Sequence, residues 1–145
     1  MSSVSTPRAA TASPPTQMLA IAPGGETLVL EVAQTDDERA RGLMGRAEVP
    51  AGTGMYFGLE GSGRHSFWMF NCLVPLDIIW IDDAGAVVDV SENTPPCPAL
   101  PCISYFPRAP ASAVIELAAG EARRLRLLPG ARVVLQRLPA QGEGR

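Results

Sequence analysis

"LDIIWIDDAGAVVDV", residues 76–90, is the stretch whose reading decides the architecture. In an extended chain Leu76, Ile78 and Trp80 point to one side, and Ile79 and Ile81 to the other. Both faces are therefore apolar, which marks a central strand covered on both sides. Asp77 interrupts the pattern. "DDAG" (82–85) is a turn, and "AVVDV" (86–90) returns as the second arm of a hairpin. Toward the N-terminus, "HSFWM" (65–69) and "GMYF" (54–57) read as two antiparallel strands joined through "GSG" (61–63). In the first of these, Phe67 and Met69 share one face, and Ser66, Trp68 and Phe70 the other. Further back, "ETLVLEVA" (26–33) alternates Leu28, Leu30 and Val32 against Thr27, Val29 and Glu31, and "MLAIA" (18–22) is a short strand.

Toward the C-terminus, residues 93–110, "NTPPCPALPCISYFPRAP", hold six prolines and cannot be regular structure. "AVIEL" (113–117), a short helical stretch "EARRLRL" after Gly120, the turn "LPG" (128–130) and a strand "ARVVLQRL" (131–138) complete the chain. One clear helix signal stands in "TDDERARGLMG" (35–45). Thr35 and Glu38 form a capping box, and Asp36 and Asp37 suit the positive end of the helix dipole. The helix lies near residues 36–44, stops at Gly42 or Gly45, and sets Ala40, Leu43 and Met44 on one side. Short strands with one short helix, and connections too short for repeated βαβ units, predict a mainly β fold, an antiparallel β-sandwich or barrel.

At 145 residues the chain has room for one domain with a core. That domain is expected over 18–138, between disordered tails at 1–17 and 139–145. "MSSVSTPRAATASPPTQ" (1–17) is too poor in apolar residues to offset its ordering entropy. The net charge is −3, and there is no lysine. Arg123, Arg124, Arg126, Arg132 and Arg137 read as a solvated face, so no nucleic-acid partner is expected. No run of about 18 apolar residues predicts a membrane span. The first residues lack the apolar stretch of a secretory signal, so the chain as written reads as cytoplasmic, the alternative being export of a longer precursor.

"ERARGLMGR", "GTGMYF", "FWMFNCLVPLDIIWID", "AGAVVDV" and "VIELAAG" occur in the order found in the bacterial and archaeal family known as domain of unknown function 192, which this chain resembles over roughly residues 26–135. The resemblance implies a mainly β domain of jelly-roll-like sandwich type. It implies no reaction, since the family has none assigned, and many of its members carry a secretory signal or lipoprotein anchor. The motif positions carried over are Arg41, Gly42, Leu43 and Met44; Gly54, Met55 and Phe57; Phe67, Trp68, Met69 and Asn71; Pro75, Leu76 and Asp77; and Glu116 and Gly120. Two positions depart from the pattern: Cys72 replaces a small hydroxyl residue, and Phe70 a polar one. Both make this loop more apolar.

Cys97 and Cys102, in "CPALPC", are close enough along the chain for a disulfide that would pin the proline-rich loop. In a reducing compartment the alternatives are two free thiols or a redox pair. The three cysteines with His65 would make a zinc set on paper, but no Cys-x-x-Cys spacing exists and no metal site is assigned. Met44, Met55 and Met69 with a cysteine would suit a cuprous copper cofactor, against their ordinary use as core filler. A Cys72–His65 nucleophile lacks an orienting third group, and no Gly-x-Ser-x-Gly elbow is present, so no catalytic residue is assigned. The glycines of 52–63 are turn chemistry and do not indicate a nucleotide. Asp77 starts close to the core and needs partners, either Arg41 or backbone N–H groups of "NCLV" (71–74). A role in fastening a loop is favoured over ligand contact.

The first functional reading is a non-enzymatic small-ligand-binding or accessory β domain. Its apolar cleft would lie near the GLM and FWM motifs, with Arg41, Met44, Met55, Trp68, Met69 and Asp77 as candidate ligand residues, roofed by residues 93–107. The alternatives are a redox or copper-binding protein using Cys97, Cys102 and the methionines, and a protein-interaction module anchored by Trp68 and Tyr105. The first reading requires Met44, Trp68 and Asp77 to meet at one place.

Overall fold

The computed structural model describes residues 16–63 and 65–138. The expected tails lie outside the described residues apart from Thr16 and Gln17, and Gln17 belongs to the first strand. The elements are β1 (Gln17–Ile21), β2 (Thr27–Ala33), α1 (Asp36–Arg41), β3 (Thr53–Gly63), β4 (Leu76–Ile81), β5 (Val87–Thr94), β6 (Ala111–Ala118), α2 (Glu121–Arg124) and β7 (Val134–Arg137). The strands form one seven-stranded sheet in the order β5-β4-β6-β3-β2-β1-β7. The fold is mainly β and sandwich-like. No helix among the described residues is long and apolar enough to cross a membrane.

β4 is buried at every position, as its two apolar faces require. Ile79 and Ile81 pack into an inner core with Leu28, Leu30, Ile115 and Leu125. Leu76, Ile78 and Trp80 pack on the other face with Phe57, Met69 and Val114. The ladder does not close into a barrel, but its two edges approach at one end. There Val87 N–H donates to Ala131 O (2.8 Å) and Val133 N–H to Gly85 O (2.8 Å). This curl lets β1, β4 and β6 share the inner core although they are not neighbours in the ladder.

The pairing is antiparallel except between β2 and β3, which run parallel with Leu30 opposite Gly54. The purely antiparallel expectation is corrected here. The connection 34–52, which carries α1, is long enough for one crossover, and two neighbouring parallel strands need one. The capping box is present: Glu38 N–H donates to Thr35 Oγ1 (3.0 Å) and Thr35 N–H to Glu38 Oε1 (3.2 Å). The helix ends at Gly42 (φ +50°), so Leu43 and Met44 belong to the following turn and not to a helical face. A second, single-turn helix, α2, falls within the stretch expected to be helical after Gly120.

Residues 65–69 do not return along 54–57. Phe67 instead bridges Tyr105, and Phe70 bridges Cys97, so this segment pairs with the proline-rich loop. The sides fall as the alternation predicts. Met69 is buried; Phe67 sits edge-on between Phe57 (5.0 Å) and Trp80 (5.4 Å), and Trp68 turns outward. Cys97 and Cys102 are joined as a disulfide, fastening the loop that covers the outer face of the sheet.

Candidate functional site

The outer core is left open at one place. A cleft of about 540 Å³ lies between the turn that follows α1 and the segment 65–72, with Ser104 of the proline-rich loop at its edge. Leu43, Met44, Phe57, Phe67, Trp68 and Phe70 belong to its apolar lining. Trp68 is 43% exposed and packs against Phe70 with ring centres 5.3 Å apart. The two arms meet because Gly45 N–H donates to Asn71 O (2.9 Å), tying the "GLMG" turn to the "FNC" loop. Asn71 holds a positive φ of 60°, which asparagine tolerates better than most residues.

Glu116 lies at the floor. On β6 it stands opposite Met55 of β3 and Ile78 of β4, and residues opposite in a ladder share a face. Its side chain is therefore on the outer side of the sheet, beneath the cleft. The residue is only 4% exposed, yet its carboxyl makes no hydrogen bond or ion pair among the described residues. Burial without a partner pushes this carboxyl up to about 8. Gly42 helps to keep the space above it open. A Cβ at that position would stand 3.4 Å from the Phe57 ring and 3.7 Å from Glu116 Oε1, and the positive φ already disfavours a side chain.

His65 and Cys72 are among the further polar residues that line the cleft, with Arg39, Arg41, Ser66 and Ser104. His65 Nε2 is buried with no hydrogen-bond partner among the described residues. The Cys72 thiol is pushed up to about 11, by burial first and by the nearby Glu116 charge second. It stays protonated at neutral pH, which makes it a poor nucleophile and a poor metal ligand. No cluster of three or more His, Cys, Asp or Glu side chains suited to a metal ion occurs among the described residues.

The expected site residues separate into two groups. Arg41, Met44 and Trp68 line the cleft. Met55 and Met69 are 5% and 1% exposed and serve as outer-core filler, although Met55 also borders a neighbouring hollow beside Glu31 and Arg46. Of the three methionines only Met44 lines the cleft. Asp77 is on the opposite face of the sheet, because it stands opposite Leu117 of the inner core. Met44 and Trp68 meet at the cleft but Asp77 does not join them, so the site is not formed as expected from the sequence, and the carboxyl found at the cleft is that of Glu116.

Neither expected partner of Asp77 is found. Its Oδ1 accepts from Asn93 N–H (2.7 Å), and its Oδ2 from Gly120 N–H (2.9 Å) and Ala122 N–H (3.0 Å). Arg41 and the 71–74 loop lie across the sheet. A carboxylate facing the inner side finds instead the end of β5 and the otherwise unsatisfied N–H groups at the start of α2. These three hydrogen bonds tie the end of β5 to the start of α2. Sequence reasoning did not single out Glu116 as a site residue. The available signal was an acidic residue inside the apolar run "AVIELAA", where a strand buried on both faces has no ordinary use for one.

Comparison with known proteins names a family without naming a reaction. Among curated protein sequences, none matches the chain significantly. A crystal structure of a candidate transcription regulator from Sinorhizobium meliloti 1021 is similar at 30% identity and a TM-score of 0.70, covering 86% of this chain and 95% of that one. A protein of unknown function from Novosphingobium aromaticivorans DSM 12444 is similar at 30% identity and a TM-score of 0.70, covering 90% and 99% respectively. The profile of domain of unknown function 192, described as "Uncharacterized ACR", matches residues 19–135, and the chain belongs to that family.

Proposed function

We propose that the protein is a small-molecule-binding β domain whose ligand occupies the cleft over Glu116 without being chemically changed there. The observation that carries this reading is the unpartnered Glu116 carboxyl, 4% exposed at the floor of an apolar hollow. A buried polar group without a partner costs about 1–3 kcal/mol or more, and an apolar residue at this strand position would avoid that cost. An apolar wall with a few convergent polar groups is the usual make-up of a ligand pocket. A non-enzymatic role is favoured because the Cys72 thiol is held protonated and no base among the described residues is hydrogen-bonded to it.

Trp68 provides the test. Trp80 is fully buried and Trp68 lines the cleft, so ligand entry should alter the emission of Trp68 alone. Titration with a panel of neutral, cationic and anionic aromatic compounds should shift the emission and raise the melting temperature, with the emission change lost in Trp68→Phe. A panel that moves neither quantity would sink the reading.

A second reading, a protein-interaction module, is favoured by one observation. Trp68, Leu73, Leu100, Ile103 and Phe106 are exposed on the two loops that pair beside the cleft. Mass that rises with concentration, or that fails to do so, would distinguish self-association from a lone binding domain.

A further inference from the structure

Accepting the ligand-binding reading, we infer that the ligand carries a protonated amine, with the Glu116 carboxylate as its counter-ion and the aromatic wall as the seat of its apolar body. This inference rests on the cleft's unpartnered polar groups. Glu116 offers oxygens without a donor, and His65 Nε2, also buried and unpartnered, can accept a hydrogen bond. An ammonium group has three donors and no acceptor. Among the simple charged or polar headgroups it is the one that turns a buried carboxylate into a paired ion and also gains from aromatic faces. Phe57, Phe67, Trp68 and Phe70 supply those faces. An anionic ligand would disfavour ionisation of Glu116 and gain no ion pair from it. A neutral one would leave the carboxyl holding its proton.

The other charged and titratable groups around the cleft are compatible with a cation. Arg39 is turned to Asp36 (2.6 Å) and to the Gln34 carbonyl (3.0 Å). Arg41 is exposed and close enough to Glu38 to help lower that carboxyl. Cys72 is neutral below its raised value of about 11. Glu116, raised to about 8, gives up its proton when an ammonium takes its place, so binding is linked to proton release.

The test uses the full chain and three probes of similar shape: phenethylammonium, phenethyl alcohol and 3-phenylpropionate. Affinities are measured calorimetrically from pH 6 to 8 in two buffers of different ionisation enthalpy. Phenethylammonium should bind tightest, with affinity rising by up to about tenfold per pH unit and a proton released on binding. Glu116→Gln should weaken it roughly ten- to a hundredfold and remove the pH slope. The wild-type slope and the proton count need no variant, so a folding defect in Glu116→Gln would not spoil the test. Phenethyl alcohol or 3-phenylpropionate binding as tightly as the amine, or amine binding without a pH slope, overturns the inference and leaves the cleft reading standing. Failure of all three probes to bind overturns both.

Discussion

Replacing Glu116 with glutamine should make the unliganded protein more stable, and by an amount set by pH. The wild-type carboxyl titrates near 4.5 when the chain is unfolded and at about 8 in the fold. Below pH 4.5 it is protonated in both states, and a neutral carboxylic acid costs about what a neutral amide does. Between the two values the folded state holds a proton that the unfolded state has released. Wild-type stability therefore falls as pH rises through this window and levels off above about 8. The steepest slope for one proton is about 1.4 kcal/mol per pH unit. Across the whole window the loss is on the order of 5 kcal/mol, a large share of the roughly 5–15 kcal/mol that holds a domain folded. Glutamine keeps the shape and carries no charge, so it escapes the loss. Urea unfolding of wild type and Glu116→Gln at pH 5, 6, 7 and 8 checks this, because subtracting the two curves removes groups not coupled to position 116. Repeating the pair in a His65→Gln background separates the neighbour lining the same cleft. Parallel curves, with a constant gap from pH 5 to 8, would refute the assignment of a buried, unpaired carboxyl.

Three other outcomes follow from the same structure. Asp77→Ala strips the partner from three backbone N–H groups at the end of β5 and the start of α2, and should cost about 3 kcal/mol or more in chemical denaturation; an unchanged unfolding midpoint would contradict the fastening role. Gly54→Ala would drive a Cβ into the Glu116 carbonyl oxygen and the Leu117 side chain, so it should lower stability by roughly 1–3 kcal/mol or prevent folding, read by circular dichroism during thermal melting. Reduction, or the double change Cys97→Ser and Cys102→Ser, opens a ring with a sequence separation of 5 and should cost about 2 kcal/mol in urea, with Cys72 remaining the free thiol in thiol titration of the unreduced, unfolded protein.

Much of the fold was legible because its determinants are local. The alternation in "LDIIWI" could only suit a strand buried on both faces, and β4 is one. The Thr35–Glu38 pair announced the helix start within three residues. The same reading went wrong where the partner was distant. "HSFWM" has the alternation of a strand, but nothing in it says whether it will pair with 54–57 or with a proline-rich loop some forty residues on. The structure chose the latter, through Phe67 and Tyr105. The parallel pairing of β2 and β3 was missed for a related reason: a single crossover leaves no repeat in the sequence to betray it.

The candidate site divides along the same line. Period-two alternation tells which residues of one strand share a face, and so the sequence by itself determined that Asp77 opposes Trp80 and that Phe67 opposes Trp68. Which face of β4 belongs with which face of β6 is decided by register between segments about forty residues apart. That register places Glu116 opposite Ile78, under the cleft, and Asp77 opposite Leu117, in the inner core. One step of slip would have put both carboxyls on the same face. Only tertiary structure could therefore separate the acid that fastens the fold from the acid left without a partner, because burial and hydrogen bonding depend on what lies across the sheet, not along the strand.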